Sequence, residues 1–352
     1  MRYLKEVILM FAVALSLGCN KDGGRPEGAG VAIAFDIVDV QQTKAAVASA
    51  DEILSLGILG YSTGAEGFNV ASPNPLYTPN LFFNRHATRL ATPAGGLWSY
   101  NPPAYWPIDE GINNTFFAYS PHSSMFPVEA AVEVVSLWGN SLVTYTVPQA
   151  VEDQVDLLYS QMEAGKNLDI NKSTKNGKVL YQMKHALSWI KFYVVPVSVY
   201  PSSGNEKYAI TSLTLNSLSL ITRATLNIGT GIWTAPAVGQ GAYYFTVDET
   251  PIGIGKVADV AAAGNALMLI PQQMQGAVAN ISFSYFDGQD WDPDAYFFAI
   301  PLPDAALVAG LIRVFVLRIN TDGVTILFHT DNTIEKWLED HSLDEDLVVD
   351  VY

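Results

Sequence analysis

The sequence predicts an all-β protein built from β-sandwiches, with only minor helical turns. Three observations predict it. The chain carries 17 Tyr, 16 Phe and 7 Trp, many beside Val, Ile and Thr, the residues that fit a pleated, half-buried surface. Twenty-seven Gly and 19 Pro punctuate short apolar runs, as turns punctuate strands. No stretch shows a helical period long enough for βαβ units, and no strict short repeat is present.

The 352 residues are 49% hydrophobic and 15% charged, which supplies a sizeable core and excludes a disordered or fibrous chain. The formal net charge is −16 and the pI about 4.6. Nucleic acid is excluded as a partner, because phosphate binding needs clustered Lys and Arg.

Residues 1–18 form a signal peptide. Arg2 and Lys5 give a positive start, and the apolar run "VILMFAVALSLG" is too short to span a bilayer but suits a signal core. Arg2, Lys5 and Glu6 sum to +1, so an exported chain carries −17. The single cysteine, Cys19, follows Gly18 at the end of that run. A small residue before a Cys at this place resembles a bacterial lipobox, although Ser16 and Leu17 depart from its usual pattern. Cys19 is therefore the expected lipidation site, and two or more acyl chains on it anchor stably where one does not. The competing reading is an ordinary signal peptide with an incidental Cys.

A glycine-rich tether follows, then "VAIAFDIVDV" at 31–40. Val31, Ile33, Phe35 and Ile37 alternate with smaller residues, which predicts a strand with one bulky face. The next stretch, "QQTKAAVASA", has no apolar period and reads as an exposed loop whose one basic residue is Lys44. "EILSLGILGYSTG" is a strand. Residues 66–115 read as loops with short strands, and strands are expected at 114–121, 131–138 and 141–147. "NLDINKSTKNGK", at 167–178, is polar and turn-rich, and the domain boundary is placed there. The expected division is thus 1–18 signal peptide, 19–44 tether and first strand, 45–174 first sandwich and 175–352 second sandwich.

The second half opens with "VLYQMKHALSWIKFYVVPVSVY". In "ITSLTLNSLSLITRATLNIG", Leu213 and Leu215 share one phase and Leu218 and Leu220 the other, so a bulge or corner is expected at Asn216–Ser217. Strands follow at 265–270, 280–286, 295–300, 311–319 and 324–328. "TIEKWLEDH" reads as a short helical turn. "DLVVDVY" ends the chain as a strand with Leu347, Val349 and Val351 on one face.

No constellation of catalytic residues emerges, and the chain reads as a non-enzyme. "GYSTG" places Ser62 in a G-x-S-x-G match, but that elbow needs a following helix, and "AEGFNVASPNP" cannot supply one. "DGQDWDPD", at 287–294, gathers four Asp without calcium-loop spacing and reads as a solvated turn. "GIGK", at 253–256, lacks the rest of a phosphate loop. His185 shares a strand face with Leu187 and Trp189 and reads as a core histidine. One cysteine allows no internal disulfide and no Cys-based zinc site, and the five His are far apart, so neither metal nor cofactor is expected.

"LWSYNPPAYWPIDEGINNTFFAYSP" at 97–121, "VDLLYSQ" at 155–161, "VLYQMKHALSWIKFYV" at 179–194 and "LMLIPQQ" at 267–273 together resemble blocks of the fimbrillin family, the type V pilins of Bacteroidales, in the matching order. The resemblance implies two tandem transthyretin-like Greek-key sandwiches. It implies a lipidated precursor on the cell outer membrane whose first strand is tucked into its own sheet. A protease cuts after that strand, and the vacated groove accepts a donor strand from the next subunit. On this reading Val31, Ile33, Phe35 and Ile37 fill the groove and Lys44 is the cleavage position, where the best-known members carry Arg. Leu347, Val349 and Val351 belong either to the donor strand or to the last strand of the second sandwich. The partners implied are other pilus subunits, the outer membrane through Cys19, and a surface ligand of a host or bacterial cell. An anchor subunit keeps its lipid and its first strand. The alternative is a non-polymerising outer-membrane surface lipoprotein that binds glycan or another ligand through aromatics such as Trp98, Tyr105 and Trp106.

Overall fold

A computed structural model describes residues 30–40, 49–69, 74, 76–89, 97–128, 131–135, 139, 141–198, 204–262 and 265–329. Cys19, Lys44, "TIEKWLEDH" and the row Leu347, Val349 and Val351 lie outside the described residues. The strands in chain order are β1 (Ala34–Val40), β2 (Ser55–Gly64), β3 (Phe82–Thr88), β4 (Asn113–Ser120), β5 (Val132–Val135), β6 (Leu142–Thr146), β7 (Leu158–Gln161), β8 (Lys178–His185), β9 (Ser188–Pro196), β10 (Lys207–Asn227), β11 (Ile232–Phe245), β12 (Ile252–Gly253), β13 (Ala258–Asp259), β14 (Leu267–Leu269), β15 (Val278–Phe286), β16 (Tyr296–Pro301), β17 (Ile312–Asn320) and β18 (Gly323–His329). Helical structure among the described residues is limited to 3-10 turns at Ala50–Glu52, Ser123–Met125, Val151–Asp153 and Thr174–Gly177. The protein is all-β.

Among the described residues these strands form three sheets. The first has the order β1-β8-β7-β4-β2-β3. The second runs β16-β15-β10-β6-β5, with β11 and β12 also on β10. The third runs β13-β9-β17-β18, with β14 also on β9. Pairing does not divide the chain at 174/175: β8 belongs to the first sheet, while β5 and β6 join β10 in the second. The continuous apolar run at 179–196 is two strands, and the chain passes from the first sheet to the third at Ala186–Leu187.

β10 explains the phase slip in the sequence. Leu213, Leu215 and Ser217 are buried, Leu218 and Ser219 are exposed, and Leu220 is buried again. The register against β11 shifts between Ser217 and Leu220, so the bulge sits at Leu218–Ser219, just past Asn216–Ser217, and turns Leu218 outward.

The first sheet is apolar on both faces. On β2, Leu56 and Ile58 join the cluster that includes Phe35 and Phe116, while Leu59 and Tyr61 join the larger cluster shared with the second and third sheets. That two-sided burial accounts for the near-continuous apolar reading of "LGILGY". Gly57 is required by the packing: a Cβ there would meet the Tyr119 ring at 2.1 Å.

Candidate functional site

The residues singled out by alternation converge on β1, the edge strand of the first sheet. It runs parallel to β8, with Phe35 opposite Val179 and Ile37 opposite Tyr181. Ile33, Phe35 and Ile37 are buried among Leu56, Ile58, Phe82, Phe116 and Tyr181. The Phe35 ring meets Tyr100 at 5.4 Å, Phe82 at 5.7 Å, Tyr181 at 5.9 Å and Phe116 at 6.2 Å between centroids. Burial pushes the Tyr181 phenol well above its ordinary range. The opposite face of the strand carries charge, with Asp36 bridging to Lys178 at 3.5 Å and Asp39 accepting from Gln182 at 3.3 Å.

Val31 does not join the buried row. It is 43% exposed and lies before the strand begins. There the chain pairs with 104–106 instead of β8: Ile33 N–H donates to Ala104 at 3.0 Å and Trp106 N–H to Val31 at 2.9 Å. The fourth buried residue is Val40. The register shifts between Ile37 and Asp39, so Val38 turns outward at 47% exposure and Val40 turns inward.

A strap at 97–106 closes the core over β1. Tyr100 Oη donates to the Ile33 carbonyl at 2.7 Å. Trp106 is buried, donates from Nε1 to the Gly177 carbonyl at 3.0 Å, and sets its ring edge-on to Phe116 at 5.5 Å. Trp98 is half-buried under the Arg89 guanidinium, 5.0 Å from the ring centre, and Tyr105 is exposed. The three aromatics of the glycan alternative therefore do not form one exposed platform, because Trp106 belongs to the core. A cavity of about 650 Å³ lies beside β1, lined by Phe35, Ile37, Arg89, Leu97, Trp98 and Tyr100 among others.

The remaining candidates resolve locally. Ser62 lies within β2, and Asn80 brackets its backbone, accepting from the amide at 2.8 Å and donating to the carbonyl at 3.3 Å. In the loop 287–294, Asp287 accepts from the amides of Gln289 and Asp290, and Asp292 accepts from the amide of Asp294 and from Tyr296 Oη. These bonds hold both carboxyls below their ordinary range. His185 is a core residue, but Leu187 and Trp189 do not share its strand face: His185 closes β8 in the first sheet, Leu187 follows the crossing, and Trp189 lies on β9 in the third. The His185 Nδ1 lies 2.6 Å from Asp156 Oδ2, a partner 29 positions away that no local spacing signals. At the far edge of the first sheet, the His86 and His122 rings stack at 4.2 Å and 9°. Burial lowers both imidazoles, and the charge of His86 lowers His122 further.

The sequence profile of the fimbrillin-like family matches residues 43–337. No curated protein matches the chain. Among solved structures, the fold is similar to that of a fimbrial protein from Bacteroides vulgatus, at 19% identity and a TM-score of 0.60, with 85% of this chain and 98% of that one covered. It is also similar to the fimbrial anchor protein Mfa2 from Porphyromonas gingivalis, at 9% identity and a TM-score of 0.38, with 85% and 95% covered. Only the first superposes closely enough to speak for the fold. The family match spans most of the sequence and includes β2 to β18, and on that ground the chain belongs to the fimbrillin-like family.

Proposed function

We propose that the chain is a structural subunit or anchor of a cell-surface fimbria, exported as a lipoprotein through Cys19 and held on the outer membrane. The observation that carries the reading is β1. Among the described residues it is an edge strand that pairs with one neighbour, and, with Ile33 just before it, it fills a deep aromatic core through Phe35, Ile37 and Val40. It leads directly toward Lys44.

Buried apolar side chains of this size each contribute roughly 1.5–3 kcal/mol, so these four contribute about 6–12 kcal/mol gross. Ordering a strand residue costs about 1–2 kcal/mol, which offsets much of that gain over the segment from Ile33 to Val40. A strand so balanced is exchangeable. Its loss opens an apolar slot and the unpaired edge of β8, a template for a strand of another subunit. Leu347, Val349 and Val351 are the candidate donor row. A subunit that is not cut after Lys44 keeps both lipid and β1 and serves as the anchor. The unit proposed to polymerise is the whole subunit, in which strand pairing crosses the 174/175 division.

Limited trypsin digestion of the purified chain tests this. Cleavage near Lys44 followed by oligomers supports the polymerising subunit. An intact 31–44 region without oligomers leaves the anchor. The cavity beside β1 favours a second reading, ligand binding at the surface, and glycan binding lost on Trp98→Ala with the fold intact is the result that selects it.

A further inference from the structure

β11 forms an edge of the second sheet. Among the described residues it pairs with β10 alone from Ile232 to Gly241. Near its end it is met from the other side, where Tyr244 N–H donates to the Gln149 carbonyl at 2.9 Å. The stretch before that has the side chains of a good strand on its surface. Ile232 and Val238 are 59% and 61% exposed, and Thr234 is exposed between them. A long exposed edge carrying β-branched residues is a template for a strand of another chain.

The middle of that edge is deformed. Arg223 pairs with Ala237 and Thr225 with Thr234, so Ala235 and Pro236 together stand against the single residue Ala224. Two residues against one make a β-bulge. Ala235 holds φ at +50°, in the left-handed region where glycine is usual in such bulges. Pro236 has no N–H to offer a neighbouring strand. Both side chains are exposed, so core packing does not demand the strain. Strain kept at an exposed position points to a role at the surface. A bulge twists an edge away from a flat partner, and a proline removes one rung of any added ladder.

We propose that Ala235–Pro236 is a guard that prevents the β11 edge from pairing with a strand of a second copy of this chain, so that copies do not join side by side at the second sheet. The guard lies outside the first sheet and needs neither Cys19, nor Lys44, nor release of β1. It stands or falls apart from the fimbrial reading.

Pro236→Thr tests it, because the change returns an N–H and a β-branched side chain to an exposed position. The full chain is used without protease, so β1 stays in place. Sedimentation velocity from about 1 to 100 μM compares the variant with the unaltered chain. The guard predicts self-association at least about tenfold tighter for Pro236→Thr, with unchanged far-UV circular dichroism. Adding Val238→Lys should abolish that gain, since a Lys on an edge opposes pairing. A folded Pro236→Thr chain that associates no more than the unaltered chain overturns the proposal, and so does association that survives Val238→Lys. Pro236→Ala, which returns only the N–H, carries the same two outcomes if the Thr variant folds poorly.

Discussion

Replacing Phe35 by Ala tests how much of the core depends on the first strand. The side chain is 5% exposed and touches four aromatic rings at centroid distances of 5.4 to 6.2 Å. Two of these partners, Phe82 and Phe116, are themselves only 6.1 Å apart and wedged by neighbours, so the space cannot collapse readily. A buried Phe→Ala change in such a site costs about 3–5 kcal/mol, the upper part of that range applying where a cavity persists. Val31→Ala is the control. Val31 is 43% exposed and outside the strand, and surface changes of this kind stay within about 0.5 kcal/mol. The assay is equilibrium urea unfolding of both variants beside the unaltered chain, comparing midpoints at constant slope. A loss below about 1 kcal/mol for Phe35→Ala, or equal losses for the two variants, refutes the claim that β1 is bound through its buried row.

Other consequences are as direct. Burial lowers the stacked His86 and His122 below their ordinary value of 6.5, so the unfolded chain takes up protons first as pH falls. Their contribution to stability is complete above that value and is lost as pH falls from it toward the lower folded-state values. Thermal melts between about pH 7.5 and pH 5.5 should show a falling Tm, and His86→Gln should shrink the fall. Gly57→Ala forces a methyl group to 2.1 Å from the Tyr119 ring and should destabilise by about 1–3 kcal/mol or more in urea melts, whereas Ala at Gly253, where a Cβ meets nothing within 4 Å, should cost little.

The strands and class were legible because burial on a pleated surface leaves a period of two. Ile33, Phe35 and Ile37 show it plainly. Alternation failed at both ends of that row, and for physical reasons. Val31 continues the pattern, yet the chain there pairs with the 97–106 strap, a contact more than seventy positions away. Val40 breaks the pattern because Val38 is an extra residue in the register against β8. The polar stretch at 167–178 looked like a boundary, but polarity marks a turn and not which sheet the next strand enters. β8 returns to the first sheet because its face of Val179, Tyr181 and Met183 completes the core that β1 shares. His185 is buried as expected, but the face it was expected to share with Leu187 and Trp189 is broken by the crossing to the third sheet, and Asp156 was not legible at all, since the pair forms only when β8 and the 151–157 segment meet.

The most direct measurement is the N-terminal residue of the mature protein taken from the cells that make it, read by intact mass and peptide sequencing with the fraction recorded. The account predicts an outer-membrane or fimbrial chain that begins either at lipid-bearing Cys19, for an anchor, or at Ala45, for a subunit processed for assembly. A chain that still begins at Met1 in the cytoplasmic fraction contradicts it.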